Sequence, residues 1–463
     1  MAAAQQAGIA DSRATFECSF AQRGSDIGFY LLAGIEPLLD ALERLKLRSD
    51  ELDWLASERV IDARTRKRLV DLKFSCDVDA APEGSIVFPG SSILTVEGPY
   101  WQAQLVSSLV RGALNASTLV ATKAARCLLA GSGADLIESS SATAHQLGGN
   151  PLVARAAYLG GARATTCALA AKRFELPFAG SMPWRHLLAS KDAKSAYDAW
   201  LATNQPAPIL RLDHRDPRPS TAAIIAALDG AAGKAKDVGV EIGGGDYVEI
   251  ACLVQDMFKR AKLKLPLLYA SGGLDELRIL ELRRQSTSST RGINFHGFFV
   301  SSFGLQDGAS ISRYELVAIE ESGRWAPRLR VGSTFATSGV PGRKTTLRYT
   351  DSEGSPLADV AYATNERTSS PEELRFVDRT TGLPTRIEGA TKSAPLLEAM
   401  MRSGKRVRSV RGAAETRDMA TKQLERVHER HRRLLHPQIF PIGLSESLAS
   451  QKEEALRSAR RAG

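Results

Sequence analysis

Residues 240–247 read VEIGGGDY. A short apolar run ends in three consecutive glycines and an aspartate. Glycine lets the backbone turn sharply and approach a ligand closely. Amides at the start of a following helix can hold phosphate oxygens, so the run is a candidate phosphate cradle. Asp246 offers a carboxylate for chemistry or an N-cap for that helix. Similar groupings recur nearby. LRLDHRDP (210–217) places Asp213 and Asp216 after an apolar run, and YASGGLDE (269–276) places Gly272 and Gly273 ahead of Asp275.

These loops need elements to position them. The apolar runs within ADLIESS, LPFAGS, APILRLD, VGVEIGG and LPLLYASGG read as buried strands. Between them lie the helical tracts 151–174, 221–236 and 247–262. Alternation of apolar strands with helices predicts a parallel α/β sheet or barrel. In a barrel the chemistry sits in the loops that follow the strands, here 138–144, 180–186, 213–216, 243–246, 271–275 and 295–299. Upstream, 34–55 carries Leu38, Leu39, Leu42 and Leu45 at helical spacing. Residues 72–98 read as strands with Pro-Glu-Gly and Pro-Gly turns, and 100–130 as a long helical tract. After about residue 303 strands return without intervening helices, and 402–452 reads as mainly helical.

With 463 residues, two or three packed units are expected. The chain is 43% hydrophobic and 24% charged, ordinary for a soluble globular protein. No apolar run approaches the roughly 20 residues of a membrane helix. The first residues lack a basic stretch followed by an apolar one, so no secretory leader is expected. Five scattered cysteines without a C-x-x-C pair argue for buried free thiols in a reducing compartment, hence a cytoplasmic location. The net charge of +9 favours anionic partners such as phosphorylated substrates. Its densest stretches, 402–417 and 426–436, lie beside no recognition helix, zinc finger or RNA platform, and read as solvated helix faces rather than a specific nucleic-acid surface.

Several ordered motifs resemble the nicotinate phosphoribosyltransferase family. They are ADSRATFE (10–17), APEGSIVFPGSSILTVEGP (81–99), NASTLVATKAAR (115–126), ARAAYLGGARATTCALAAKRF (154–174), SGGLDE (271–276), PGRKTTLR (341–348) and HPQIFPIGLSESL (436–448). The resemblance implies an incomplete TIM-like α/β barrel of the type II phosphoribosyltransferase kind, with a composite α+β domain from both chain ends. The implied boundaries are 1–115 and 304–463 for the composite domain, the latter with terminal helices, and 116–303 for the barrel. It further implies a dimer with sites at the interface, and transfer of a phosphoribosyl group from phosphoribosyl pyrophosphate (PRPP) with Mg²⁺ to nicotinate in NAD salvage. Many members couple this to ATP through a phosphorylated histidine. The implied site residues are Asp213 and Asp246, with His186 as a stand-in for that histidine, and Gly245, Gly272, Gly273, Lys123 and Arg155 for phosphate.

The sequence also departs from the family pattern. Where the family has Gly-Ile-Arg-Leu-Asp-Ser-Gly-Asp, this chain has GVEIGGGD, with Glu241 at the arginine and Gly243 at the first aspartate. The three glycines therefore read more readily as a site that has lost a carboxylate than as a new cradle. Glu/Asp-Phe-Gly-Leu-Arg-Arg becomes ESSSAT, keeping Glu138 but placing Ala142 and Thr143 at the arginines, with His145 nearby. Gly-Thr-x-x-His becomes GSMPW, so Trp184 stands at the histidine and His186 lies two residues on. Phe-Gly-Val-Gly-Thr aligns with FHGFF, which puts Phe298 at a phosphate-approach glycine. Ala21 falls near the arginine of a Phe-x-Arg motif, and the family's Thr-Asp-x-Tyr segment would precede Met1. Two functions follow: a divergent phosphoribosyltransferase not coupled to ATP, or a non-catalytic paralogue serving as a regulatory or partner subunit.

Overall fold

The computed structural model describes every residue except 23–25, 141, 142, 144–147, 204–206, 231–236, 290, 291, 305–310 and 463. The chain divides into two compact units. One comprises 1–119, 309–411 and 418–463; the other comprises 120–308 and 412–417.

The second unit is built on six parallel strands. In spatial order they are Ala164–Thr165, Asp135–Glu138, Gly297–Val300, Leu267–Ala270, Gly239–Ile242 and Ile209–Arg211. The segment 177–182 links the two edges. Pro177 O accepts from Thr165 N (3.0 Å), Ala179 N donates to Thr165 O (3.1 Å), and Met182 N donates to Ile209 O (2.9 Å). The LPFAGS run, read as a strand, is thus an irregular stave that closes the ring. Around the ring the staves follow chain order, as helical crossovers between parallel strands require.

The strand sequences suit this arrangement. Gly239–Ile242 and Gly297–Val300 are buried at every residue, because one face meets the barrel interior and the other the surrounding helices. Ile137, Ile209, Tyr269 and Phe299, from four different strands, pack together inside. Tyr269 is accommodated by Gly239 and Gly297: β-carbons at those positions would come within 2.9 and 2.8 Å of its ring. The helices turn apolar stripes inward, as Ile250, Ala251, Val254 and Phe258 do on Tyr247–Arg260.

In the first unit, strands from distant parts of the chain pair directly. Arg13–Phe20 lies between Ser312–Glu321 and Ser92–Pro99 in a seven-stranded sheet. A six-stranded sheet sets Ile442–Leu444 between Arg375–Asp378 and Pro356–Ala363. The tract 34–55 forms two helices, Ile35–Glu43 and Ser49–Ser57. The tract 402–452 holds Ala413–Arg426, Glu429–Arg432 and the start of Glu446–Ala462, with that buried strand between them. Part of its basic charge is paired: Arg402 with Asp79, Arg406 with Glu36 and Asp40, Arg408 with Glu398. All five cysteines are free thiols. Burial pushes the Cys76 thiol up to about 12, which makes it an inert core residue rather than a nucleophile.

Candidate active site

Three neighbouring strands deliver polar residues to the same end of the barrel. Ile209, Gly239 and Leu267 are register partners, and so are Arg211, Glu241 and Tyr269. Side chains two residues apart share a face, so Arg211 and Glu241 lie on the interior face with Ile209, nearer the carboxyl ends. Arg211 Nη1 donates to Glu241 Oε1 at 2.5 Å. Glu241 is 1% exposed and Arg211 25%. Arg211 Nε and Glu241 Oε2 are buried and have no hydrogen-bond partner among the described residues.

Gly243 explains why the guanidinium fits. A β-carbon there would lie 2.5 Å from Arg211 Nη2. The space that a side chain at 243 would take is therefore filled by a cation from the adjacent strand. The glycine run is not an open cradle: Gly244 faces His214, whose Nε2 would be 3.0 Å from a β-carbon, and Gly245, at φ +78°, lies under Ile250. The next turn packs closely on this one. Gly272 has φ +96°, and a β-carbon on it would run into the Gly243 carbonyl oxygen. Gly273, at φ +71°, presents its carbonyl to Arg278 Nη1. The Tyr247 hydroxyl, beside Gly272, donates to Ser271 O at 2.6 Å.

The aspartates serve partly as scaffolding. Asp246 Oδ1 accepts from Val248 N (3.1 Å) and Glu249 N (2.9 Å), the N-cap of Tyr247–Arg260. Asp275 caps Glu276–Ser288 in the same way. Asp213 is gripped by the Arg215 fork at 3.1 and 3.0 Å. That hydrogen bonding holds its carboxyl below the usual carboxylate range. Arg215 also stacks on Trp184, 4.9 Å from the ring, and Trp184 faces His214 with ring centres 6.4 Å apart. His214 Nδ1 is buried without a partner among the described residues.

Other candidate residues are placed elsewhere. His186 lies on the short helix Trp184–Ala189, where its Nε2 bonds to Ala196 O at 3.1 Å and its ring faces Trp200. Arg155 is buried with its guanidinium over the Phe174 ring, 5.7 Å from the centroid. Lys123 is half-buried on the helix Ser107–Gly131, one turn from Cys127. Glu138 is buried and accepts from Ser140 N and Thr165 Oγ1, which makes it a tie between staves. Thr143 Oγ1 donates to the carbonyls of Ser140 and Ser301. Ala142 and His145 lie outside the described residues. Phe298 obstructs no phosphate turn: it sits within the strand Gly297–Val300, buried and facing Gly131. Arg211 and His214 are the two site residues that sequence reasoning missed.

Known proteins resemble this chain at both ends and along its length. The model for the nicotinate phosphoribosyltransferase N-terminal domain matches residues 1–114, and that for the C-terminal domain matches 343–452. Nicotinate phosphoribosyltransferase of Bacillus subtilis is 25% identical over 451 residues, covering 97% of this chain and 91% of that protein. Models of the nicotinate phosphoribosyltransferase family thus match both ends of this chain. The Homo sapiens enzyme of that name is 26% identical over 506 residues, covering 96% of this chain and 92% of its own. The crystal structure of human nicotinic acid phosphoribosyltransferase superposes with a TM-score of 0.80 at 23% identity, over 98% of this chain and 97% of that one. Nicotinate-nucleotide pyrophosphorylase from Pyrococcus furiosus shares the fold, with a TM-score of 0.69 and 18% identity over 92% of both chains. The likeness in fold extends over the barrel and the sheets built from both chain ends. No helix among the described residues is long and apolar enough to cross a membrane.

Proposed function

We propose that this chain transfers a phosphoribosyl group from PRPP to nicotinate or a related pyridine base in NAD salvage, without ATP coupling, as a cytoplasmic dimer. The observation that carries this is the contact between two glycine turns at one end of the barrel. The 243–246 and 272–275 loops touch, and each runs into a helix capped by an aspartate. Helix starts and close-approach glycines suit an anionic phosphoribosyl substrate. The resemblance to nicotinate phosphoribosyltransferases supports the reaction class.

In this reading Gly272 and Gly273 bring backbone to the 5′-phosphate. Asp213 and Asp246 place negative charge beside the ribose, where positive charge develops as the glycosidic bond forms and pyrophosphate leaves. Arg215 holds Asp213 in position. No cluster of three or more His, Cys, Asp or Glu side chains able to hold a metal occurs among the described residues. Mg²⁺ accordingly belongs to the reading as part of the magnesium–PRPP substrate, whose own oxygens supply most ligands.

ATP coupling needs a nucleophilic imidazole. The family's position for it is Trp184, whose indole cannot take a phosphoryl group and is covered by Arg215. The test is pyrophosphate release by purified protein with magnesium, PRPP and a panel of pyridine bases, with and without ATP. Release that requires both PRPP and a base and is unchanged by ATP is the expected result. Absence of release with every base, together with no PRPP binding, would leave the alternative of a non-catalytic partner subunit.

A further inference from the structure

We propose that the Arg211–Glu241 pair makes the barrel mouth select a neutral pyridine base bearing a primary carboxamide over a carboxylate such as nicotinate. This rests on the phosphoribosyl-transfer reading above and names its acceptor. The pair binds itself through one nitrogen and one oxygen, Nη1 and Oε1. That leaves Nε as a donor and Oε2 as an acceptor, both buried and both without a partner among the described residues. A primary carboxamide matches the two: its carbonyl accepts from Nε–H and its amino group donates to Oε2. A carboxylate can satisfy the donor but must set a second anion against Oε2.

The pair belongs to the architecture rather than to a mobile surface. Arg211 and Glu241 are register partners on adjacent strands, and Glu241 is 1% exposed. Arg211 has room only because residue 243 lacks a side chain. Glutamate at 241, arginine at 211 and glycine at 243 therefore interlock. Arg211 keeps 25% of its side chain exposed, while its Nε and Glu241 Oε2 lie buried beneath. Among the neighbours, Tyr247 donates its hydroxyl to Ser271 O, and Arg278 gives Nη1 to Gly273 O. Sites that hydrogen-bond a substrate group discriminate strongly against analogues lacking it, because the site's own groups are then left unpaired.

The experiment compares kcat/KM for nicotinamide and nicotinate with full-length protein, magnesium and PRPP. Wild type is expected to favour nicotinamide by about tenfold or more. Glu241→Gln removes the anion and should move the ratio at least about tenfold toward nicotinate. Arg211→Lys keeps the charge but loses the Nε donor, and should raise KM for nicotinamide about tenfold. Preference of wild type for nicotinate, or an unchanged ratio in a folded Glu241→Gln, would overturn the proposal. If neither base is turned over, ligand-observed NMR titration of both bases separates the two claims. Nicotinamide binding that is lost in Glu241→Gln upholds the selectivity while the transfer reading fails. Binding of neither base, or of nicotinate alone, overturns the selectivity.

Discussion

At the scale of single residues the site is governed by what occupies the space above Gly243. A methyl group there would meet the Arg211 guanidinium. Gly243→Ala is expected to cost about 1–3 kcal/mol, the usual range for overpacking. Most of that cost should vanish in an Arg211→Ala background, because the clash is with that side chain. Urea denaturation of the four proteins in the cycle measures it; additive costs would show that Arg211 does not fill the position. Gly272→Ala combines a left-handed φ with a clash against the Gly243 carbonyl, and should destabilise at least as much. The glycines and capping aspartates were legible in the sequence because turn and cap chemistry is local. The Arg211–Glu241 pair was not. Its members lie thirty positions apart, and only strand register makes them neighbours.

At the scale of elements, alternating strands and helices revealed the barrel, while exact element ends escaped. GFFV at 297–300 is a strand rather than a loop because both its faces are covered, so Phe298 points into packing. His186 turns away for a helical reason: two positions along a helix rotate a side chain by about 200°. Trp184, at the helix start, faces His214 and Arg215 instead. Stoichiometric acid-labile, base-stable label from γ-labelled ATP is accordingly not expected. If label appears and is lost in His214→Ala or His186→Ala, ATP coupling is restored. In the first unit the helix Glu446–Ala462 buries Lys452, whose Nζ donates to Phe335 O (2.7 Å) and Ser338 O (3.3 Å). Burial and then nearby Arg379 push its ammonium down to about 7 from 10.5. Between those values the unfolded chain binds the proton and the fold does not, so stability rises with pH across that window. Below about 7 the burial penalty is fully present. Thermal melts of Lys452→Met from pH 7 to 10 should lack the part of the rise seen in wild type; identical slopes would contradict this.

At the scale of the whole molecule, the chain shares the fold of human nicotinic acid phosphoribosyltransferase over 98% of its length. Core and turn positions answer to packing and backbone geometry, which persist in sequence and made the fold readable. Site chemistry depends on a few contacts across register, and can shift from one strand to its neighbour without disturbing the frame. Family resemblance leads us to expect a dimer: light scattering at micromolar concentration should give about twice the 49.9 kDa chain mass, and a monomer would count against shared sites. The proposed phosphoribosyl transfer at this barrel mouth has a direct test. That test is mass spectrometry of the product formed from magnesium and ribose-labelled PRPP with nicotinamide and nicotinate in competition. A labelled mononucleotide, formed chiefly from nicotinamide, is expected. Labelled PRPP recovered intact with both bases, in protein shown to be folded, would contradict it.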